Sequence, residues 1–152
     1  MFRGITSLNL DPKGRLVMPS RYRECVNNQC QGQLIATIDP ETPCLLLYPL
    51  GAWEIIEQKI QALPSFNKAT RRIQRLLIGH ATECDMDGQG RLLIPQTLRD
   101  YAQFDKNLML VGQGKKFEIW SDTLWHTAKE LWLKEEANKP ELMPTELEGI
   151  AL

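Results

Sequence analysis

The sequence predicts a mixed α+β, β-rich fold built from two tandem copies of one supersecondary unit related by a pseudo-two-fold axis. The first observation is an internal duplication: residues 6–23 return 76 positions later as residues 82–99, with seven of the 18 paired positions identical. The identities are Thr6/Thr82, Asp11/Asp87, Gly14/Gly90, Arg15/Arg91, Leu16/Leu92, Pro19/Pro95 and Arg23/Arg99. Two copies of one unit pack most readily against each other about a pseudo-two-fold. The second observation is size: 152 residues with 43% hydrophobic content suffice for one compact domain, or for two small units sharing a core. The third is that short strand patterns punctuated by turn residues dominate each copy, with helical periodicities only between and after them.

Residues 5–10 alternate weakly, and Asp11-Pro12-Lys13-Gly14 reads as a tight turn. Asp bonds the backbone ahead of it, Pro presets the next φ, and Gly tolerates a positive φ. Leu16-Val17-Met18 leaves the turn as a strand, so residues 5–18 are expected to form a hairpin with Lys13 and Arg15 at its tip. Pro19 ends that strand and opens a short helix with Tyr22 and Val26 on one face. Residues 33–38 and 44–48 read as two further strands across the turn-rich segment 39–43.

Trp53, Ile56, Ile60 and Leu63 then recur at helical spacing. Asn67 can cap a second helix with Ile73, Leu76 and Leu77 on one face, Arg71, Arg72 and Arg75 on the other, and Gly79 as its stop. The second copy repeats the plan: a hairpin over 82–94, a helix from Pro95, and strands at 108–111 and 117–120. Leu124, Trp125, Ala128, Leu131 and Trp132 mark a third helix whose tryptophans read as packing residues. From Asn138 the chain is acidic and interrupted by proline, and is expected to be poorly ordered. The division is therefore a first repeat over 5–52, a helical connection over 53–80, a second repeat over 81–124, a C-terminal helix over 125–136 and an acidic tail over 137–152.

The first residues lack the long apolar run of a secretory signal, and no stretch approaches the roughly 18 to 20 apolar residues of a membrane span, so a soluble cytoplasmic protein is expected. Cys25, Cys30, Cys44 and Cys84 form no Cys-x-x-Cys pair and have no histidine at ligand spacing, and read as reduced thiols filling apolar space. The net charge of −1 conceals an uneven distribution. Residues 1–25 carry +3, residues 67–82 carry +4 with no acid, and residues 130–152 carry six glutamates against two lysines, or −4. Phosphate responds to such local basic surface, so a polyanionic partner is compatible with a neutral total.

The repeated Asp-x-x-Gly-Arg is the specific motif. An Asp four residues before an Arg across a turn can accept the guanidinium's hydrogen bonds and orient a side chain that otherwise loses roughly 2 kcal/mol of rotamer entropy on binding. Arg15, Lys13 and the nearby Arg3 are the candidate nucleic-acid contacts. Arg91 is a weaker candidate, because its turn offers Gly88 and Gln89 in place of Pro12 and Lys13. Asp11, Asp87, Arg91, Gly14 and Gly90 are also assigned a structural role, as braces of the two turns. Catalysis has little footing: His80 and His126 stand apart from any nucleophile motif, Asp85 and Asp87 alone make a poor cation site, and no glycine-rich phosphate loop is present. No enzyme activity, metal, cofactor or small-molecule substrate is expected.

With Asp-x-x-Gly-Arg-x-x-x-Pro occurring twice, each time after a short strand, the chain resembles a tandem pair of AbrB-type swapped-hairpin units, a double-split β-barrel architecture. Met1-Phe-Arg-Gly with Leu10-Asp11-x-Lys13-Gly14-Arg15-Leu16, the middle block Arg71-Arg72-x-Gln74-Arg75-Leu76-Leu77-x-Gly79-His80-Ala81, and Cys84-x-Met86-Asp87-x-x-Gly90-Arg91-Leu92-Leu93-Ile94-Pro95 are similar to the MraZ family. The similarity spans nearly the whole chain and fades after about Lys134. It implies a transcriptional regulator of the bacterial division and cell-wall gene cluster that forms a ring-shaped homo-oligomer, associates with the nucleoid, and binds directly repeated boxes in the double-stranded promoter DNA upstream of its own gene. The family's first turn carries DNA contacts, which transfers to Lys13 and Arg15, with Arg3 adjacent. A ring-forming scaffold, whose arginines are structural and whose tail recruits a protein partner, is the competing expectation.

Overall fold

A computed structural model describes residues 1–138 and 145–150. The elements run β1 (Phe2–Asn9), β2 (Arg15–Val17), α1 (Ser20–Cys30), β3 (Leu34–Ile38), β4 (Leu45–Pro49), α2 (Leu50–Gln61) and α3 (Lys68–Ile73), which continues as a π-helical turn (Gln74–Ile78). They continue with β5 (Thr82–Glu83), β6 (Arg91–Leu93), α4 (Gln96–Tyr101), β7 (Asn107–Gly114), β8 (Phe117–Ser121), α5 (Asp122–Ala137) and α6 (Thr145–Glu148). The expected strands at 33–38, 44–48, 108–111 and 117–120 are all present, and so are the helices after Pro19 and Pro95, whose fixed φ suits a helix start. Of the tail expected to be poorly ordered, 139–144 and 151–152 lie outside the described residues.

The two expected hairpins are corrected in one respect. Both turns form, with Asp11 N–H donating to Arg15 O at 2.8 Å and Asp87 N–H to Arg91 O at 3.0 Å. The strands leaving each turn, however, pair with strands of the other copy. β1 runs antiparallel to β7 over its whole length, while β2 pairs with β6 in a separate two-stranded ribbon. A three-residue strand brings one inward side chain to its own hairpin, which is too little apolar surface to hold it. Swapping places Leu16 directly opposite its own counterpart Leu92, both with 0% exposure.

The six-stranded sheet has the order β1-β7-β8-β4-β3-β5, and every pairing in it is antiparallel. Replacing each strand by its counterpart in the other copy (β1 by β5, β3 by β7, β4 by β8) reverses this order and so leaves it unchanged. The pseudo-two-fold passes between β4 and β8 in the sheet and between Leu16 and Leu92 in the ribbon. Each copy completes the other, which is how two weak half-sheets bury one core.

Strand alternation splits the buried residues between two faces. Leu34, Ala36, Ile38, Leu45, Leu47, Leu108, Leu110, Phe117 and Ile119 pack with Leu16 and Leu92 of the ribbon and with Tyr22, Val26 and Leu98 of α1 and α4. On the other face, Ile35, Leu46 and Tyr48 pack against Trp53 of α2 and against Leu77 and Ile78 of the π-helical turn. Met109, Val111 and Trp120 pack in the same way against Trp125 of α5. Trp132 joins that second cluster edge-on, 5.7 Å from Trp120 and 6.0 Å from Trp125, so the tryptophan stripe is packing as expected. Gly79 does end its helix, but in right-handed geometry: its N–H bonds Gln74 O at 3.1 Å, and a Cβ there would collide with Arg75 O.

Candidate nucleic-acid interface

Each repeated turn is organised by its aspartate. Asp11 Oδ1 accepts from the backbone N–H groups of Lys13 at 2.9 Å and Arg15 at 2.8 Å, leaving Oδ2 to accept from Arg15 Nε at 2.8 Å. Asp87 repeats this with Gln89 N–H and Arg91 N–H, both at 2.9 Å, and with Arg91 Nε at 2.8 Å. The Arg15 backbone amide, followed by its side chain, holds the Asp11 carboxyl below its ordinary value of 3.8, and Arg91 does the same to Asp87. Both carboxylates are thus ionised at neutral pH. Only Nε of each guanidinium is engaged. The terminal nitrogens of Arg15 and Arg91 make no hydrogen bond among the described residues, and project from an anchored stem.

The ribbon sets the relation between the two arginines. In its register Arg15 faces Leu93 and Val17 faces Arg91, while Leu16 and Leu92 point into the core. Arg15, Val17, Arg91 and Leu93 therefore share the outward face, with the two arginines at diagonal positions about 7–8 Å apart at Cα. Val17 is 45% and Leu93 56% exposed, giving that face an apolar strip between two cations. Neither was singled out in the sequence, because the face they share exists only after the copies exchange strands.

A second device locks the two turns together. Arg23 of the first copy lies over Gly90 and donates Nε–H to Met18 O at 2.8 Å, while Arg99 lies over Gly14 and donates to Ile94 O at 2.8 Å. Met18 N–H bonds Gly90 O at 2.7 Å and Ile94 N–H bonds Gly14 O at 2.9 Å, so each turn is held by the other copy. Gly14 and Gly90 have φ of +85° and +79°, which suits glycine, and both are buried under a guanidinium. The brace role expected of these glycines thus runs across copies rather than within each hairpin. Sequence reading missed Arg23 and Arg99 as functional positions, although their identity in both copies was the available signal.

Lys13 is exposed at the tip of the first turn, where Gln89 stands in the second. Arg3 is not brought to them: it sits at the far end of β1 beside α1, where Tyr22 Oη donates to its carbonyl, and Arg21 nearby reaches Thr6 Oγ1 at 2.5 Å. His80 Nδ1 lies 2.8 Å from Leu76 O, and His126 pairs with Asp122 at 3.3 Å, so neither faces a nucleophile. Cys44 and Cys84 are buried, which pushes both thiols up to about 12. Ligand atoms of Asp39, Cys44 and Glu118 lie within 4.8 Å of one another, but Asp39 accepts from Glu41 and Thr42 amides, Trp120 Nε1 donates to Glu118, and burial keeps the thiol protonated. These bonds account for the cluster as internal structure.

A duplicated α+β chain whose copies exchange strands about a pseudo-two-fold, with braced arginines on the shared ribbon, has the architecture of tandem AbrB-like domains. The family model described as MraZ protein, putative antitoxin-like, matches residues 1–76 and again residues 77–142, and the chain belongs to that family. It is 54% identical over 152 residues to the transcriptional regulator MraZ of Yersinia pestis (strain Pestoides F), covering all of both chains. It is 53% identical over the same span to the transcriptional regulator MraZ of Coxiella burnetii (strain Dugway 5J108-111), again covering all of both. These relatives are named as regulators of transcription rather than enzymes. No helix among the described residues is long and apolar enough to cross a membrane.

Proposed function

We propose that this protein is a sequence-specific DNA-binding regulator of transcription. On this reading it acts at the nucleoid in the cytoplasm and reads repeated boxes in the promoter upstream of its own gene, in the bacterial division and cell-wall cluster. The observation that carries the reading is the outward face of the β2–β6 ribbon, where Arg15 and Arg91 stand together with their stems anchored and their terminal nitrogens unengaged among the described residues. A two-stranded ribbon fits the major groove, where arginine bonds guanine O6 and N7 and neighbouring phosphates. Lys13 adds a cation at the first turn. Asp11 and Asp87 offset part of that charge, but their oxygens are turned to the turn amides and Nε, so the groups left to meet DNA are the terminal guanidinium nitrogens.

One ribbon offers a few cationic contacts, so useful affinity comes from several ribbons of a ring-shaped homo-oligomer engaging several boxes through effective concentration. Titrating wild type and Arg15→Ala against labelled promoter DNA at two salt concentrations tests the reading. Wild type should show a steep salt slope, with log K falling by about 0.9 per phosphate contact for each unit of log salt. Arg15→Ala should lose specific binding with only a small fall in melting temperature. Salt-independent or absent binding by wild type would support the scaffold reading instead.

A further inference from the structure

We propose that the basic face of α3 and its π-helical continuation docks the acidic end of α5 from a second copy of this chain. The inference rests on the self-association just proposed and assigns the surfaces that make it.

The basic side is built and unused. Lys68, Arg71, Arg72 and Arg75 are exposed, and among the described residues none of them bonds an acid. In chain order α1 corresponds to α4, α2 to α5 and α3 to the four-residue α6, whose sequence Thr145-Glu-Leu-Glu148 has no arginine, so among the described residues the basic helix belongs to the first repeat alone. Its inward side is explained by Leu77 and Ile78, which cover Trp53 of α2, and by Thr37 Oγ1 donating to Leu77 O at 2.6 Å. Among the described residues the side chains of its outward arginines have no hydrogen-bond or ion-pair partner. Just before it, Leu63 and Phe66 are 44% and 86% exposed, so the surface mixes apolar area with positive charge.

The complementary surface is the last part of α5. Glu130 and Glu135 are exposed there, with Leu131 at 55% and Leu133 at 62% exposure. Over residues 130–137 three glutamates against Lys134 leave −2, set against +4 over residues 67–82. α2 receives a cover from the π-helical turn, whereas its counterpart α5 has no equivalent cover among the described residues. The second copy's helix thus lacks the lid that the first copy has, and a neighbour's α3 is an element of matching charge that could supply it.

The contact is between chains because both surfaces are on fixed elements in different halves of the sheet: α5 rests on β7 and β8, and the α3 segment on α2 and β3. The two surfaces differ, so the contact is head-to-tail and propagates around a ring instead of stopping at a two-fold dimer. α2 and α5 lie on the sheet face opposite the β2–β6 ribbon, and the π-helical turn that continues α3 packs Leu77 and Ile78 on that face while Leu76 reaches the ribbon-side core. Assembly through them leaves every ribbon free for DNA.

The test is charge exchange in the full-length chain, read by light scattering after gel filtration, with melting curves to confirm folding. Arg71→Glu with Arg75→Glu should reduce the assembly to single chains, and so should Glu130→Lys with Glu135→Lys. All four substitutions in one chain should restore the wild-type mass. Assembly unaffected by either pair would overturn the proposal, as would failure of the four-fold variant to reassemble while folded. An Arg71/Arg75 variant that keeps its mass but loses salt-dependent DNA affinity would reassign the face to phosphate contact and equally overturn it. A wild type that runs as a single chain would instead defeat the self-association reading itself.

Discussion

The guanidinium of Arg99 lies directly across Gly14, in the space a Cβ would need: that atom would stand 2.7 Å from Arg99 Cζ. Two positions identical in both repeats are therefore one interaction made twice, Arg99 on Gly14 and Arg23 on Gly90. The Asp-x-x-Gly-Arg turn of each half is clamped by the helix of the other half.

Gly14→Ala should destabilise the protein by about 1–3 kcal/mol, since it adds a steric collision to a φ of +85°. At this size that lowers the melting temperature by about 2–4 °C per kcal/mol. The same substitution should cost less in an Arg99→Ala background, where the collision is gone and only the backbone strain remains. Gly88→Ala, with nothing within 4 Å of its added Cβ, is the near-neutral control. Strict additivity of Gly14→Ala and Arg99→Ala would show that the two residues do not meet.

The two Asp–Arg braces have the same geometry, both at 2.8 Å, so the brace alone does not divide labour between the repeats. What differs is Lys13 against Gln89. Arg15→Ala and Arg91→Ala should therefore lower the melting temperature equally and little, while Arg15→Ala costs more DNA affinity. Asp11→Asn removes a negative charge, which would by itself strengthen attraction to DNA, yet it should weaken specific binding because Arg15 loses its anchor. Gel-shift titration of the three variants checks this, and tighter specific binding by Asp11→Asn would refute the anchoring argument.

How much of this could be read in the sequence follows from what was local. The turns, the Asp–Arg braces, the proline helix starts and the tryptophan packing depend on residues a few positions apart, and spacing alone exposes them. Strand exchange does not: β2 pairs with β6 across 76 positions, and nothing in Leu16-Val17-Met18 says whether its partner is its own hairpin or the other one. Arg3 and Arg15 are both basic and close in sequence, but Arg3 stands at the start of the eight-residue β1, whose extended length carries it away from the turn. The clamp by Arg23 and Arg99 had a visible trace as a repeated identity, while its meaning required the third dimension.

Stability should fall in strong acid and in strong alkali, for different reasons. Asp11 and Asp87 have depressed folded values, so their contribution is present above the ordinary 3.8 and is lost as the pH falls through the folded values. Cys44 and Cys84 have folded values raised by burial to about 12, so theirs is present below the ordinary 9.0 and is lost as the pH rises from there towards 12. Alkylation followed by mass spectrometry at pH 8 should label the partly exposed Cys25 first, and Cys44 and Cys84 only on unfolding. Fast native labelling of either buried thiol would contradict its placement in the core.

If several ribbons of one assembly engage several boxes together, the boxes must face the ring, and their spacing must match the helical repeat of about 10–10.5 base pairs. A single footprint of two braced arginines and one lysine gives, on its own, only the weak binding of about 10⁻⁴ to 10⁻⁶ M typical of non-specific contacts. The rest must come from linkage between sites, which fails when geometry forbids simultaneous engagement. Inserting half a helical turn between adjacent boxes should therefore cost far more affinity than inserting a whole turn, which restores the facing. The Arg71→Glu/Arg75→Glu variant, if it yields single chains, should lose the difference between the two insertions while keeping its affinity for one box. Equal affinity of the wild type for native, half-turn and whole-turn probes would mean that the boxes are read one at a time.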